Sequence, residues 1–242
     1  QPQDDLAALI CDALWRQAIS LRDRDVLVIA QKIVSKAENR YVDLRTVHPT
    51  ARARELGIEA GKDPRLVEVI LSESVRIVRH RPGLIITEHR LGYVMANAGV
   101  DHSNVGAADG AGSEDHVLLL PKDPDATAEA LRAKLEAVAG CRLAIIVNDS
   151  FGRAWRRGIV GVALGAAGLP SILDKRGEPD LFGRQLQVTQ TGFADEIAAA
   201  ASLLMGQGQE ALPVVLVRGL AWSAPPIAAA ELIRPAAEDL FR

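Results

Sequence analysis

Five stretches of the chain are apolar on consecutive positions and rich in β-branched residues: 26–30, 84–87, 117–120, 143–147 and 214–217. An unbroken apolar run of this length predicts a strand covered on both faces, whereas alternation marks a strand with one wet face. Between these runs the apolar period lengthens to that of helices. Asp123-Pro124 joins an N-cap acid to a proline at the first helical position. Ala128, Leu131, Leu135 and Val138 then recur on one face until Gly140 ends the segment. A second helix is predicted over 195–205, with Asp195 and Glu196 in the first turn, where the helix dipole favours acids. Earlier helices are predicted at 6–18, 50–56 and 64–74, and a short one at 227–232 after the turn-rich 223–226. Strand signals cluster over 75–98 with no helix between them, and no regular βαβ alternation appears. The pattern predicts an α+β fold of mixed sheets with flanking helices, not a doubly wound sheet. The 242 residues read as one domain, with 75–140 as a candidate subdomain insertion, and show no internal repeat or linker.

Charge and composition narrow the partners. The net charge of -3 offers no basic excess for nucleic acid and no basic amphipathic stretch for a membrane surface. No apolar run approaches the roughly 18 residues of a membrane span, and residues 1–5 lack the pattern of a signal peptide. Cys11 and Cys141 stand far apart with no Cys or His at metal spacing, so they read as buried free thiols in a reducing compartment. A cytoplasmic protein is expected.

The polar segments that interrupt the apolar pattern carry the candidate chemistry. Residues 98–114, AGVDHSNVGAADGAGSE, form a long aperiodic stretch of a kind that is usually functional or disordered. Asp101, Asp109 and Glu114 in it are hard oxygen donors suited to Mg²⁺ or Mn²⁺; turn formation by the same acids is the plainer alternative. Asn148-Asp149-Ser150-Phe151-Gly152-Arg153 follows the strand run 143–147, with Arg156 and Arg157 next. Acids beside guanidinium groups suit a metal-bound phosphate, although a polar turn with solvated arginines fits as well. Residues 31–38, QKIVSKAE, continue the strand at 26–30, and extended spacing would put Lys32 and Lys36 on one face, able to bind a polyphosphate. Met205-Gly206-Gln207-Gly208-Gln209 closes the late helix; its glycines serve as a helix end or let backbone approach a ligand. The sequence has no GxxxxGK[ST], which excludes a P-loop. No histidine finds a metal-spaced or nucleophile partner, and only His102 falls within a candidate site.

Taken together, AQKIVSKAE (30–38), ANAGVDHSNV (96–105), DSFGRAWRRG (149–158), the helix ending in MGQ (205–207), PVVLVRG (213–219) and RPAAEDLF (234–241) resemble the coenzyme F420:L-glutamate ligases, over nearly the whole chain and in order. The resemblance implies the γ-glutamyl ligase fold, two intimately packed subdomains and an intertwined homodimer. It implies GTP as co-substrate, two divalent cations (Mg²⁺ or Mn²⁺) and K⁺ as a further activator. The carboxylate of the F420 precursor would become an acyl phosphate, which L-glutamate attacks, with further γ-linked glutamates to follow. By resemblance Asp101, Asp149, Ser150 and Gln207 are metal ligands, with Asp101 and Asp149 catalytic. Gln31, Lys32, Lys36, Asn104 and the segment Met205, Gly206, Gln207, Gly208, Gln209, Glu210, Ala211, Leu212 meet the nucleotide. Arg153 or Arg156 is expected to hold a phosphate of GTP or of the acceptor. Family members begin with a strand and glycine-rich turn before the equivalent of Asp4-Asp5-Leu6; the sequence starts at Gln1 without them, so the base and ribose side of the site does not carry over. It ends at Arg242, without the flavin-binding C-terminal domain of some actinobacterial relatives. Three other functions compete: a nucleotide-binding regulator without ligase activity, a metal-dependent phosphohydrolase, and a ligase acting on a related phosphorylated acid.

Overall fold

The structure, a computed structural model, describes residues 1–102, 105 and 115–240. The chain begins with helix α1 (Leu6–Arg16), strand β1 (Asp25–Ala30), helix α2 (Gln31–Ala37) and strand β2 (Tyr41–Asp43). Helices α3 (Ala51–Ala60) and α4 (Pro64–Ser72) follow, then strands β3 (Ser74–Arg81), β4 (Leu84–His89), β5 (Val94–Ala96) and β6 (His116–Leu118). After α5 (Pro124–Ala139) come β7 (Leu143–Arg153), β8 (Arg156–Ala167), β9 (Leu173–Asp174) and β10 (Gln190–Thr191). Helix α6 (Phe193–Met205) and strand β11 (Val214–Val217) complete the regular elements. The result is α and β mixed over several sheets, as the apolar pattern predicts. Among the described residues no helix is long and apolar enough to cross a membrane.

The chain divides into two compact units. Unit 1 comprises Gln1–Asp4, Gln31–Lys122 and Phe151–Ile159; unit 2 comprises Asp5–Ala30, Asp123–Ser150 and Val160–Arg242.

Unit 2 is built on a sheet of order β11-β1-β7-β8. Val26, Leu27, Val28 and Ile29 are all 0% exposed, so the unbroken apolar run is covered on both faces. β1 pairs antiparallel with β11 and parallel with β7, in register from Asp25 opposite Leu143 to Ala30 opposite Asn148. Val26, Val28, Ala144 and Ile146 pack against Ile197, Ala198 and Ala201 of α6. At the amino end of β1 the buried Asp25 accepts both arms of the Arg218 guanidinium, at 2.8 and 2.7 Å. These bonds hold its carboxyl below the usual range despite burial. The arginine of the PVVLVRG segment is thus a structural lock.

The strand β8 was not legible as an apolar run, because GIVGVALGAA mixes glycine and alanine with its branched residues. Packing explains the small residues. A Cβ at Gly165 would lie 2.2 Å from the Pro124 carbonyl oxygen, and one at Gly161 2.5 Å from that of Ala198. Close approach lets the first-turn acids of both helices serve β8: Asp195 accepts from Ala163 N and Asp125 from Ala166 N, each at 2.8 Å. Acceptors are thereby supplied to an edge strand of this sheet.

In unit 1, α3 and α4 bury Ala53, Leu56, Val67 and Ile70 against Ile85 and Ala98. β3, β4 and β5 form an antiparallel meander. Burial alternates along β4, with Ile85 and Thr87 fully buried and Leu84 and Ile86 only partly so, where the unbroken run predicts full cover on both faces; a meander needs only one face packed. Other expectations shift too. Residues 31–37 leave β1 as a helix, not as extended chain, and the run 143–147 continues as strand to Arg153. The short segment near 227–232 is 3-10 over Ala229–Leu232.

Glu73 holds unit 1 together electrostatically. Its Oε2 accepts from Arg40 and Arg90, each at 3.0 Å, and stands 3.5 Å from His89 Nε2. Burial raises its pKa, but the His89 and Arg90 contacts and the two guanidinium charges outweigh burial and lower it to about 2. A depressed carboxyl stabilises the fold above its ordinary pKa of 4.5 and loses that effect as pH falls toward about 2. Glu73→Gln is expected to lower the unfolding free energy at neutral pH by about 3–5 kcal/mol. Chemical unfolding of both proteins should show the gap closing as acidity rises through that window; a gap independent of pH contradicts the assignment.

Candidate functional site

In unit 2 the polar residues begin where β7 leaves the core. Asn148 is the last residue paired with β1, and its Nδ2 donates to Ser202 Oγ (3.2 Å) and Met205 Sδ (3.3 Å) on the last turn of α6. Side chains alternate along a strand, so Asn148 and Ser150 share a face and Asp149 leaves from the other. Ser150 Oγ donates to Gln207 Oε1 at 2.8 Å, which ties β7 to the segment after α6. Asp149 Oδ1 accepts the Ser150 backbone N–H at 2.8 Å.

The turn that presents Gln207 depends on Gly206. Its φ of 69° is left-handed, and a Cβ there would lie 2.1 Å from Glu210 Cδ. Glu210 folds back over the turn and accepts from Gly208 N at 2.8 Å. Backbone N–H groups of Glu210 itself, Gly208 and Gln207 hold its carboxyl below the usual range. Met205 packs its side chain into the core, whereas Gln209, Ala211 and Leu212 are exposed.

In unit 1 the lysines share a face, but by helical and not extended spacing: Lys32 and Lys36 are i and i+4 on α2. Lys32 Nζ pairs with Asp101 Oδ2 at 2.7 Å. Burial, then the Lys32 charge, lower the pKa of Lys36, with Asp101 opposing. Gln31 is 2% exposed and accepts from Ser35 Oγ at 2.8 Å, so its side chain is committed within the helix. Asp101 is fixed through its backbone, which exchanges two hydrogen bonds with Leu118 (2.9 and 2.8 Å). Before it, Asn97 and Ala98 take left-handed φ of 52° and 53°, a conformation costing non-glycine residues of order 1–3 kcal/mol and found at functional sites. Asn104, Asp109 and Glu114 lie outside the described residues. Arg153, Arg156 and Arg157 are exposed at the tip where β7 turns into β8.

Among the described residues there is no group of three or more His, Cys, Asp or Glu side chains able to hold a metal ion. A cation at the end of β7 would therefore rely on one carboxylate and neutral oxygens. The donors present are hard oxygens of the type Mg²⁺ and Mn²⁺ accept. Adjacent ligands of octahedral Mg²⁺ lie about 2.9 Å apart, and Ser150 Oγ and Gln207 Oε1 stand at 2.8 Å. Asn148 Oδ1 is buried and accepts no hydrogen bond. The residues present thus fit a divalent cation. Asn148 escaped the sequence reading; its one signal was a polar residue ending an apolar run.

A family model described as F420-0:Gamma-glutamyl ligase matches residues 1–219. The chain is 45% identical over 241 residues to the coenzyme F420:L-glutamate ligase of Methanothermobacter thermautotrophicus, covering 99% of this chain and 93% of that protein. It is 44% identical over 246 residues to the ligase of the same name from Methanopyrus kandleri, covering 100% and 93%. To that of Methanocaldococcus jannaschii it is 41% identical over 222 residues, covering 92% and 86%. The chain belongs to the F420-0:gamma-glutamyl ligase family.

Proposed function

We propose that this chain is a GTP-dependent ligase that joins the amine of L-glutamate to the lactyl-phosphate carboxylate of the coenzyme F420 precursor. The names of its relatives supply the acceptor and the amino acid. GTP, the acyl phosphate and the addition of further γ-linked glutamates extend the family resemblance. The observation that most supports the reading lies at the end of β7, where Ser150 Oγ and Gln207 Oε1 meet at 2.8 Å and the neighbouring residue is the carboxylate Asp149.

An amine cannot expel oxide from a carboxylate, so the acid must first gain a leaving group. An acceptor carboxylate oxygen attacks the γ-phosphorus of GTP. The bond to the β–γ bridging oxygen breaks, and GDP leaves with its electron pair. The glutamate nitrogen then attacks the acyl carbon, the carbon–oxygen bond to phosphate breaks, and the nitrogen loses its proton to solvent. The protein's work is positioning and charge neutralisation. Asp101, Asp149, Ser150 and Gln207 would hold the divalent cations. When bound, the cations neutralise phosphate charge. A cation on Asp101 would release Lys32, its ion-pair partner, to a phosphate oxygen beside Lys36. Asn104 and the 205–212 segment would meet the nucleotide, and Arg153 or Arg156 a phosphate of GTP or acceptor, with K⁺ as a further activator. The reading includes a homodimer, supported by Val75 and Val78 exposed on the edge strand β3.

Incubation with the glutamate-free precursor, L-glutamate, GTP and Mn²⁺ should add one or more glutamyl units to the deazaflavin by mass spectrometry. Asp149→Ala should lower turnover at least 100-fold. Phosphate release that ignores glutamate would indicate a hydrolase instead, and no turnover with bound GTP a regulator. Lys36 gives a second test. An anionic phosphate beside it favours the ammonium form and reverses the shift imposed by burial and Lys32. Calorimetry of GTP binding in buffers of different ionisation enthalpy, above neutral pH, should show more proton uptake in wild type than in Lys36→Met. Equal uptake removes Lys36 from the phosphate site.

A further inference from the structure

Asn148 is 5% exposed, and its carboxamide is half satisfied. Nδ2 donates to Ser202 Oγ and Met205 Sδ, while Oδ1 is shielded from solvent and accepts nothing. A buried carbonyl oxygen without a partner costs about 1–3 kcal/mol. Turning the amide over does not remove that cost. The oxygen could then accept from the Ser202 hydroxyl beside the methionine sulfur, but both N–H donors would be left unpaired in its former place.

The surroundings indicate what would satisfy the oxygen. Ser150, two residues on, leaves β7 on the same face, and its Oγ meets Gln207 Oε1 at 2.8 Å. Asn148 itself grips Met205, two residues before Gln207. Residues 148, 150 and 207 thus bring three neutral hard oxygens to the junction of one strand face with the end of one helix. Neutral donors hold a cation without cancelling its charge, which stays available to a polyphosphate.

We propose that Asn148 Oδ1 is a further oxygen ligand of the divalent cation that Ser150 and Gln207 would hold; this rests on the metal reading of those two residues. As the ion binds, the Ser150 hydroxyl proton turns away from Gln207, and both oxygens, with that of Asn148, face the ion. Asn148 has a second role whatever the ion does, as the donor that fixes the last turn of α6. The two roles are separable, because one uses the carbonyl oxygen and the other the amide N–H groups.

The test is Mn²⁺ binding to the whole protein, followed by electron paramagnetic resonance of the free ion. Gln207→Ala defines which class of bound Mn²⁺ belongs to this site. Asn148→Ala should weaken that class by about 10- to 100-fold. Asn148→Asp keeps an oxygen, adds charge and removes both N–H donors, and should bind at least as tightly as wild type. If Asn148→Asp weakens binding as much as Asn148→Ala, the residue acts only as a clamp on α6 and the proposal fails. It fails too if Asn148→Ala binds like wild type. If Gln207→Ala and Ser150→Ala leave Mn²⁺ binding intact, the metal reading itself is wrong, whatever Asn148 does. Thermal unfolding without Mn²⁺ checks that each variant is folded, and Asn148→Ser replaces the alanine variant if that one is not.

Discussion

Two strands inside a dry sheet must satisfy their backbone hydrogen bonds on each other, and only one register does so while keeping every side chain on its face. The parallel pairing of β1 with β7 obeys that constraint over six consecutive residue pairs, with Val26, Leu27, Val28 and Ile29 wholly buried. Its amino end is pinned by the two hydrogen bonds from Arg218 to Asp25. Its carboxyl end is level, Ala30 opposite Asn148. Loops at the carboxyl ends of parallel strands are where rigid sheets offer ligands their polar groups. One strand continues into the lysine helix, the other into Asn148-Asp149-Ser150. A slip of one residue would turn Ser150 away from Gln207 and Asp149 toward it.

The charged groups divide by what neutralises them. Asp25 is met by the fork of Arg218 and Glu73 by single N–H groups of Arg40 and Arg90, and both carboxyls sit below the usual range; these contacts are structural. Lys32 and Asp101 are different. They pair at 2.7 Å with both side chains part-exposed, a contact of modest worth that a phosphate and a cation can divide between them. Burial, then the Lys32 charge, lower the pKa of Lys36, and Asp101 opposes them. In unit 2 the unmet acceptor is Asn148 Oδ1, whereas Ser150 and Gln207 meet each other.

The sequence made plain those features that local physics decides. Five consecutive apolar residues specify β1, and Asp123-Pro124 with Gly140 bracket α5 at both ends. Features set by distant packing were hidden. Gly161 and Gly165 lower the strand signal of β8 because helices need their space. QKIVSKA is too short for its period to distinguish strand from helix, yet either puts the two lysines on one face. The Ser150–Gln207 contact spans 57 residues, which no spacing rule reaches; only the family resemblance paired them. Asn148 was passed over because a lone polar residue at a strand end means little until its partners are seen.

In the proposed reaction an oxygen of the acceptor carboxylate becomes the leaving group by taking the γ-phosphoryl group of GTP. Acceptor labelled with ¹⁸O in the lactyl carboxylate tests it directly, with mass spectrometry of the phosphate released during glutamate ligation. The account predicts one ¹⁸O in each phosphate formed per amide bond. Phosphate carrying no label, with one labelled oxygen in the amide and the other lost to water, would contradict it.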